Sequence, residues 1–287
     1  MPTTAGSHAF ASMTALKNAS VVEKLLHAGL IIIGKGNMTE FCGLKCLICP
    51  LMIPSAADGR RSNDTPVGWS AFGGQTKSPY RRDGLSEDEQ PRGSWKDAVD
   101  RMRGAGARVV YPIELPAYDT VIHDKQTLHT IAYHEFSSQV KKFAGNFDPE
   151  TGDIKTLEDV VAWNKDHAGE ALPPQLEAAL VAATAMTEAE HQAAVSEVRR
   201  LAGIDGLGRA MREAQVDVIV SASDSIAVGF AGAARWPIAT VPLGNLETNG
   251  QPFGLFVTAP EGREDLLFRF MGAFYATFPA IEKPAQL

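Results

Sequence analysis

No stretch of eighteen apolar residues occurs anywhere in the sequence, so nothing in it is long enough to cross a bilayer as a helix. A basic excess is missing too. The net charge of −7 argues against nucleic acid, whose phosphates need a positive surface, and gives no reason to expect a membrane partner. Cysteine is scarce. Three in 287 residues, an odd number, fit a reducing compartment better than a disulfide framework, and the expectation is a cytoplasmic protein. The first ten residues carry neither a basic n-region nor an apolar h-region, so no signal peptide is expected. A repeat of 20 to 50 residues is likewise absent. What remains is ordinary globular material, 45% hydrophobic and 21% charged.

The order of patterns is helix, then short buried strand. Ser20 to Glu23 reads as a capping box, Val21, Val22, Leu25 and Leu26 share one helical face, and Gly29 suits the left-handed position that ends a helix. Leu30 to Ile33 follows as a wholly apolar run of the kind buried on both faces of a sheet. The same succession returns with a helix over Ser94 to Ala105, Gly106, and a strand over Arg108 to Tyr111. A long helical stretch is expected from Asp119 to Phe143, and a capping box at Thr187 to Glu190 opens another towards Leu201. Strands are expected at Asp217 to Ser221, Ile238 to Val241 and Phe253 to Val257, the last two joined by a turn at Asn249-Gly250. Glu264 to Phe278 reads as a closing amphipathic helix. The alternation predicts an α/β fold. The least structured stretches are Pro54 to Pro66 and Arg81 to Gly93.

Three motifs invite a chemical reading. Gly29 to Lys35 has the spacing of a phosphate-binding loop, but its centre is four bulky apolar residues, and Gly36 stands where a magnesium-binding hydroxyl belongs. A strand ending in a turn explains it better. Cys42, Cys46 and Cys49 have the C-x3-C-x2-C spacing that can hold an iron–sulfur cluster. Pro50 and a loop follow, and three small hydrophobes beside a loop is the simpler reading. His123, His129 and His134 fall at offsets of 6 and 5 on one helix, not the i, i+4 spacing of a helical zinc site. Neither a metal nor a cofactor is expected.

Several stretches in order resemble the amidase signature family, especially its fungal and bacterial amidases acting on peptide or carboxylic amides. They are Pro2-Thr-Thr-Ala-Gly-Ser7, then VVEKLLHAGLIIIGKGNMTE over Val21 to Glu40, then GWSAFGGQTKSPY over Gly68 to Tyr80. The segment Trp163-Asn-Lys-Asp-His167 follows, and Phe230 to Leu287 closes the series with WPIATVPLG and NGQPFG at its centre. The resemblance implies a mixed sheet flanked by helices. It also implies a small-molecule amide as ligand and a Ser–Ser–Lys triad as machinery: an attacking serine, a serine that relays its proton, and a lysine base.

This sequence departs from that pattern where the chemistry sits. The family's lysine precedes the Thr-Thr-x-Gly-Ser turn, within which this chain begins, so that segment is expected to be absent. The nucleophile belongs to a Gly-Gly-Ser-Ser stretch downstream of Gly-Gly-Gln-Thr, and no such stretch occurs here. After Tyr80 come Arg81-Arg-Asp-Gly-Leu-Ser86 and a polar run, and by Ser94 a helix–strand unit has begun that belongs well downstream. Lys35 matches a different lysine and takes over no catalytic role. Ser70, Ser78 and Ser86 are loop serines without an assigned base, so no catalytic residue is expected. Gln75 and Thr76 are the remaining candidates for a pocket wall.

The expectation is thus one incomplete amidase-like domain over 1–287, with an N-terminal part at 1–80, a junction at 81–93 and a C-terminal part at 94–287. It lacks part of its central core and is expected to be inactive. Two alternatives are an accessory or scaffold protein using the remnant pocket or an exposed sheet edge, and an enzyme built on the cysteine cluster. Strands left without neighbours make self-association an expectation as well.

Overall fold

A computed structural model describes residues 2–43, 69–77, 79–80, 92–123, 127–169, 176–223, 225, 227–246 and 250–280. In chain order its main elements are α1 (Ser20–His27), β1 (Trp69–Ser70), β2 (Gly74–Gln75), α2 (Arg92–Gly104), α3 (Thr127–Ala144), α4 (Leu157–Asp166) and α5 (Leu176–Ala182). Then come α6 (Glu188–Ala202), α7 (Gly208–Ala214), β3 (Ile219–Ala222), α8 (Ala227–Ala234), β4 (Ile238–Asn245), β5 (Pro252–Thr258) and α9 (Glu264–Thr277). The α/β class read from the sequence is the class seen. No described helix is long and apolar enough to cross a membrane.

The chain divides into two units. The described residues within Met1–Cys49, Arg61–Thr76 and Thr130–Glu188 form the first, and those within Lys77–His129 and Ala189–Leu287 the second.

The first unit is built around aromatic side chains. Phe10, on the short turn His8–Phe10, is fully buried and meets Phe143 and Phe147 at ring distances of 5.1 and 5.7 Å, while Phe41 stands edge-on to Phe136 at 5.4 Å. Leu157, Val160 and Val161 bring the inner face of α4 into the same core. Thr156 caps that helix: its hydroxyl accepts from the Asp159 amide, and the Asp159 carboxylate accepts from the Thr156 amide. This is a true capping box. The one expected at Ser20 is not formed. Ser20 is already helical, Ala19 is the cap residue without a side-chain bond, and Glu23 instead accepts from Asn18 Nδ2 at 2.7 Å.

In the second unit β5 lies between β3 and β4, antiparallel to both. All described strand pairs are antiparallel. Side chains alternate across a strand, so β5 serves two cores. Leu255 packs with Ala98 of α2 and with Phe274 and Phe278, while Val257 packs with Leu266 and Leu267 of α9. Phe256 points the other way, to Met211 of α7 and Phe230 and Ala231 of α8. The expected strands at 217–221, 238–241 and 253–257 are therefore present, with β4 longer and bulged between Pro242 and Gly244. Within the expected Asp119 to Phe143 helix the described residues form a π-helical turn at Asp119–His123 and α3, and 124–126 lie outside the described residues. The expected turn keeps Gly250 at φ +79°, but Asn249 lies outside the described residues.

Two expected strands are not present among the described residues. Leu30 to Ile33 and Arg108 to Tyr111 carry no ladder among the described residues. Ile31 and Ile33 are 85% and 98% exposed, and Tyr111 is 62% exposed. The helices before them end as the sequence predicts, on Gly29 at φ +81° and Gly106 at φ +91°, closed by bonds from Leu30 to Leu25 and from Ala107 to Met102. A strand is stabilised only by partners, and no described strand lies beside either run.

Candidate functional site

The family-like stretches of the first unit converge on one hydrogen-bonded cluster. The turn Thr3–Ser7 is tight. Thr4 Oγ1 accepts from the Gly6 amide at 3.1 Å, and the Ser7 amide donates to the Thr4 carbonyl at 2.9 Å. Gly6 has φ +78°, and a Cβ there would lie 2.9 Å from both Glu40 Cα and Ser70 Cβ, so only glycine lets the turn approach the Glu40 backbone and the Ser70 side chain. Phe41 donates to the Ala5 carbonyl at 2.8 Å, and Phe72 to that of Gly6 at 3.2 Å.

Asn37 ties this turn region to the β1–β2 hairpin. Its Nδ2 donates to the Gly74 carbonyl at 2.9 Å and to Thr76 Oγ1 at 3.3 Å, and its Oδ1 accepts from Ser70 Oγ at 2.8 Å. Ser70 Oγ also accepts from the Gly73 amide at 2.9 Å. On the other side of the hairpin His8 Nε2 lies 2.8 Å from the Ala71 carbonyl. A carbonyl only accepts, so this nitrogen carries the proton. His8 meets the edge of Phe72 at 5.5 Å and stacks on Trp163 at 6.5 Å, while the other neighbour of Trp163 is His167, stacked at 4.1 Å.

Gln75 and Thr76, the two expected binding residues, sit together at the end of this hairpin. Gln75 is half-buried in β2, and its Nε2 donates to the Thr76 carbonyl at 3.0 Å; Thr76 is exposed. Asn37 lies within a family-like stretch and His8 just after one; neither was singled out from the sequence, and only the fold shows that they hold the hairpin.

Among the described residues the cluster holds no serine in reach of a base. Ser70 is fully buried, and its proton goes to a neutral amide oxygen, which cannot remove it. Lys35 Nζ donates to Thr3 Oγ1 and to the Pro2 carbonyl. Among the described residues no serine hydroxyl bonds to a lysine or a histidine. In the second unit Ser221 Oγ and Ser225 Oγ share a bond of 2.7 Å, with no lysine or histidine bonded to either among the described residues. Ser78 and Ser86 lie outside the described residues, as do Cys46, Cys49 and the stretches 54–66 and 81–91. Cys42 is exposed and free at φ 57°. His134 is half-buried on α3, and the side chains of His123 and His129 are outside the description.

Ionisation is perturbed at two informative places. Burial pushes the Tyr118 hydroxyl up, and the neighbouring Asp119 charge adds to it. At Asp159 burial pushes up, but the Lys155 and Thr156 amides, the Thr156 hydroxyl and the Lys155 charge outweigh it and hold the carboxyl below its usual range.

Comparison with known proteins gives this arrangement a context. The family model described as Amidase matches residues 1–45. No curated protein matches by sequence. Among solved structures, the peptide amidase PAM bound to the competitive inhibitor chymostatin superposes with a TM-score of 0.76 at 20% identity, over 99% of this chain and 82% of that one. Native peptide amidase from Stenotrophomonas maltophilia gives 0.76 at 20% over 99% and 81%. An amidase family protein from Bacillus anthracis gives 0.74 at 16% over 100% and 76%. The resemblance to the amidase signature family thus stands: the opening segment matches the family by sequence, and the chain carries the amidase fold.

Proposed function

We propose that this chain is an amidase-type protein that does not hydrolyse amides and that retains a place for a small amide-bearing molecule at Gln75 and Thr76. The observation that carries the reading is the state of the serines. The Gly-Gly-Ser-Ser stretch is nowhere in the sequence, and the serine in the hairpin cluster is buried with its proton on an amide oxygen. A hydroxyl without a base is too weak a nucleophile for an amide carbonyl. Gln75 supports the binding half, because a carboxamide side chain both donates and accepts, as an amide ligand does. The peptide amidase with its bound inhibitor lends the ligand class. On this reading the chain is one incomplete domain broken at 81–93, acts in the cytoplasm as an accessory binding protein, and self-associates through apolar runs that lack strand neighbours.

Two measurements test it together. Incubation with simple aliphatic and aromatic amides should release no ammonia above a heat-treated control. Release that a serine-directed phosphonate abolishes would end the inactive reading. Ligand-observed NMR should detect binding of small carboxamides, weakened by Gln75→Ala. Equal binding by that variant would remove Gln75 from the site.

A further inference from the structure

We infer that His134, Glu188 and His191 form a binding site for one zinc ion. The inference goes beyond the proposed function: none of the three belongs to the hairpin cluster, and the site stands whether or not an amide binds at Gln75 and Thr76.

Each of the three offers one donor atom, a ring nitrogen from either histidine and a carboxylate oxygen, and these atoms all lie within 4.8 Å of one another. His134 is half-buried on α3, Glu188 is the exposed first residue of α6, and His191 is buried one turn further along α6. Residues three apart on a helix are surface neighbours, so Glu188 and His191 reach one point together. His134 and Glu188 belong to the first unit, and His191 follows Glu188 on the same helix, so the grouping is set locally at the opening turn of α6. Histidine spacing along α3 could not show this, because the other two donors come from a different helix.

Donor chemistry selects the ion. Two imidazoles and a carboxylate are a set that tetrahedral zinc takes while keeping a fourth position for water, whereas magnesium and calcium take oxygen donors. With zinc–ligand bonds of about 2.0–2.1 Å, the corners of a tetrahedron stand roughly 3.4 Å apart. From separations within 4.8 Å the donors need to draw in by less than about 1.5 Å. Burial holds the His191 ring in place, and the exposed Glu188 side chain is free to rotate onto the ion. Charge agrees with a cation. Glu135 follows His134 and Glu190 precedes His191 in the chain, so further carboxylates flank both histidines.

Isothermal titration of zinc chloride into the full chain tests the inference. The parent protein carries Cys42→Ser/Cys46→Ser/Cys49→Ser, because soft thiolates select zinc and would hide a site of nitrogen and oxygen. It should take up one zinc per chain, and magnesium should not displace it. Glu188→Gln and His134→Gln should each weaken binding by about a hundredfold or more, since loss even of a residue that only orients a ligand costs roughly 10–100-fold. Neither side chain is fully buried, so the far-ultraviolet spectra of both variants should match the parent's. Zinc should also raise the melting temperature of the parent and leave that of Glu188→Gln unchanged. His27→Gln, on the exposed helix α1, should bind as the parent does. No uptake by the parent, displacement by magnesium, or equal affinity in the parent and either ligand variant overturns the site. An equal loss in His27→Gln also overturns it, because the ion would then be held by histidines at large.

Discussion

The Ser70 hydroxyl, fully buried, donates to Oδ1 of the exposed Asn37 across 2.8 Å. Through this contact a turn at residue 37 fixes a hairpin more than thirty positions away. The hairpin has only two residues in each strand, far too few to hold itself.

Asn37→Ala should therefore cost about 1–3 kcal/mol, because it strands a buried hydroxyl proton and frees the Gly74 carbonyl. Ser70→Ala alone should cost about 0.5–1.5 kcal/mol, because it removes the acceptor of the Gly73 amide and the bond to Asn37. The double variant should cost much less than the sum, since neither partner is then left unpaired. Urea melts of the four proteins measure the coupling, and simple additivity would show that the bond is not formed in solution.

Arg108 gives a second test. Both of its terminal nitrogens donate to the Ala214 carbonyl, and Nη1 also reaches that of Gln215, at 2.8 to 3.0 Å. These are the last carbonyls of α7, where the helix dipole is negative and Gln215 takes φ 54°. Arg108→Met should lower the melting free energy by about 0.3–1 kcal/mol, with the loss shrinking in high salt. Arg108→Lys should recover only part, because an ammonium cannot reproduce the planar fork.

How far the sequence could be read follows from what each feature depends on. Helix ends at Gly29 and Gly106 were legible because a left-handed terminus is a local requirement that glycine meets. The strands around 219, 238 and 253 were legible because their partners lie nearby in the chain and the sheet closes within one unit. Leu30–Ile33 was misread as buried, since an apolar run states what a strand would need but not whether a neighbour exists. Asn37 was missed for the opposite reason: its bonds reach Ser70, Gly74 and Thr76, which no local spacing connects to it. Thr156 lay outside the patterns read, although its Thr-x-x-Asp spacing is a local signal.

The capping box of α4 carries a pH dependence. The Asp159 carboxyl lies below its usual range in the fold, so its contribution is fully present above the unfolded value near 3.9 and is lost as pH falls through the lower folded value. Stability of wild type should accordingly fall in that acid window more steeply than that of Asp159→Asn. At neutral pH the variant should be less stable by about 1 kcal/mol, the usual worth of a cap. Thermal melts from neutral to acid pH compare the two, and parallel curves would remove Asp159 from the cap.

The last prediction sets two apolar runs against each other. Phe253–Val257 and Leu30–Ile33 look alike as sequence, yet Phe256 is 2% exposed among Phe230, Met211 and Ala231, whereas Ile33 is nearly bare. Removing a buried ring forfeits its transfer free energy and leaves a cavity, so Phe256→Ala should cost about 3–5 kcal/mol. Against a total of roughly 5–15 kcal/mol, that is enough to bring the second unit close to unfolding. Ile33→Ala removes atoms that already touch water, and in monomer at high dilution its cost should stay within about 0.5 kcal/mol. Denaturant melts of the two variants at high dilution measure the contrast. A large penalty for Ile33→Ala at high dilution would mean that the run is covered within the monomer and that the bare edge does not exist in solution.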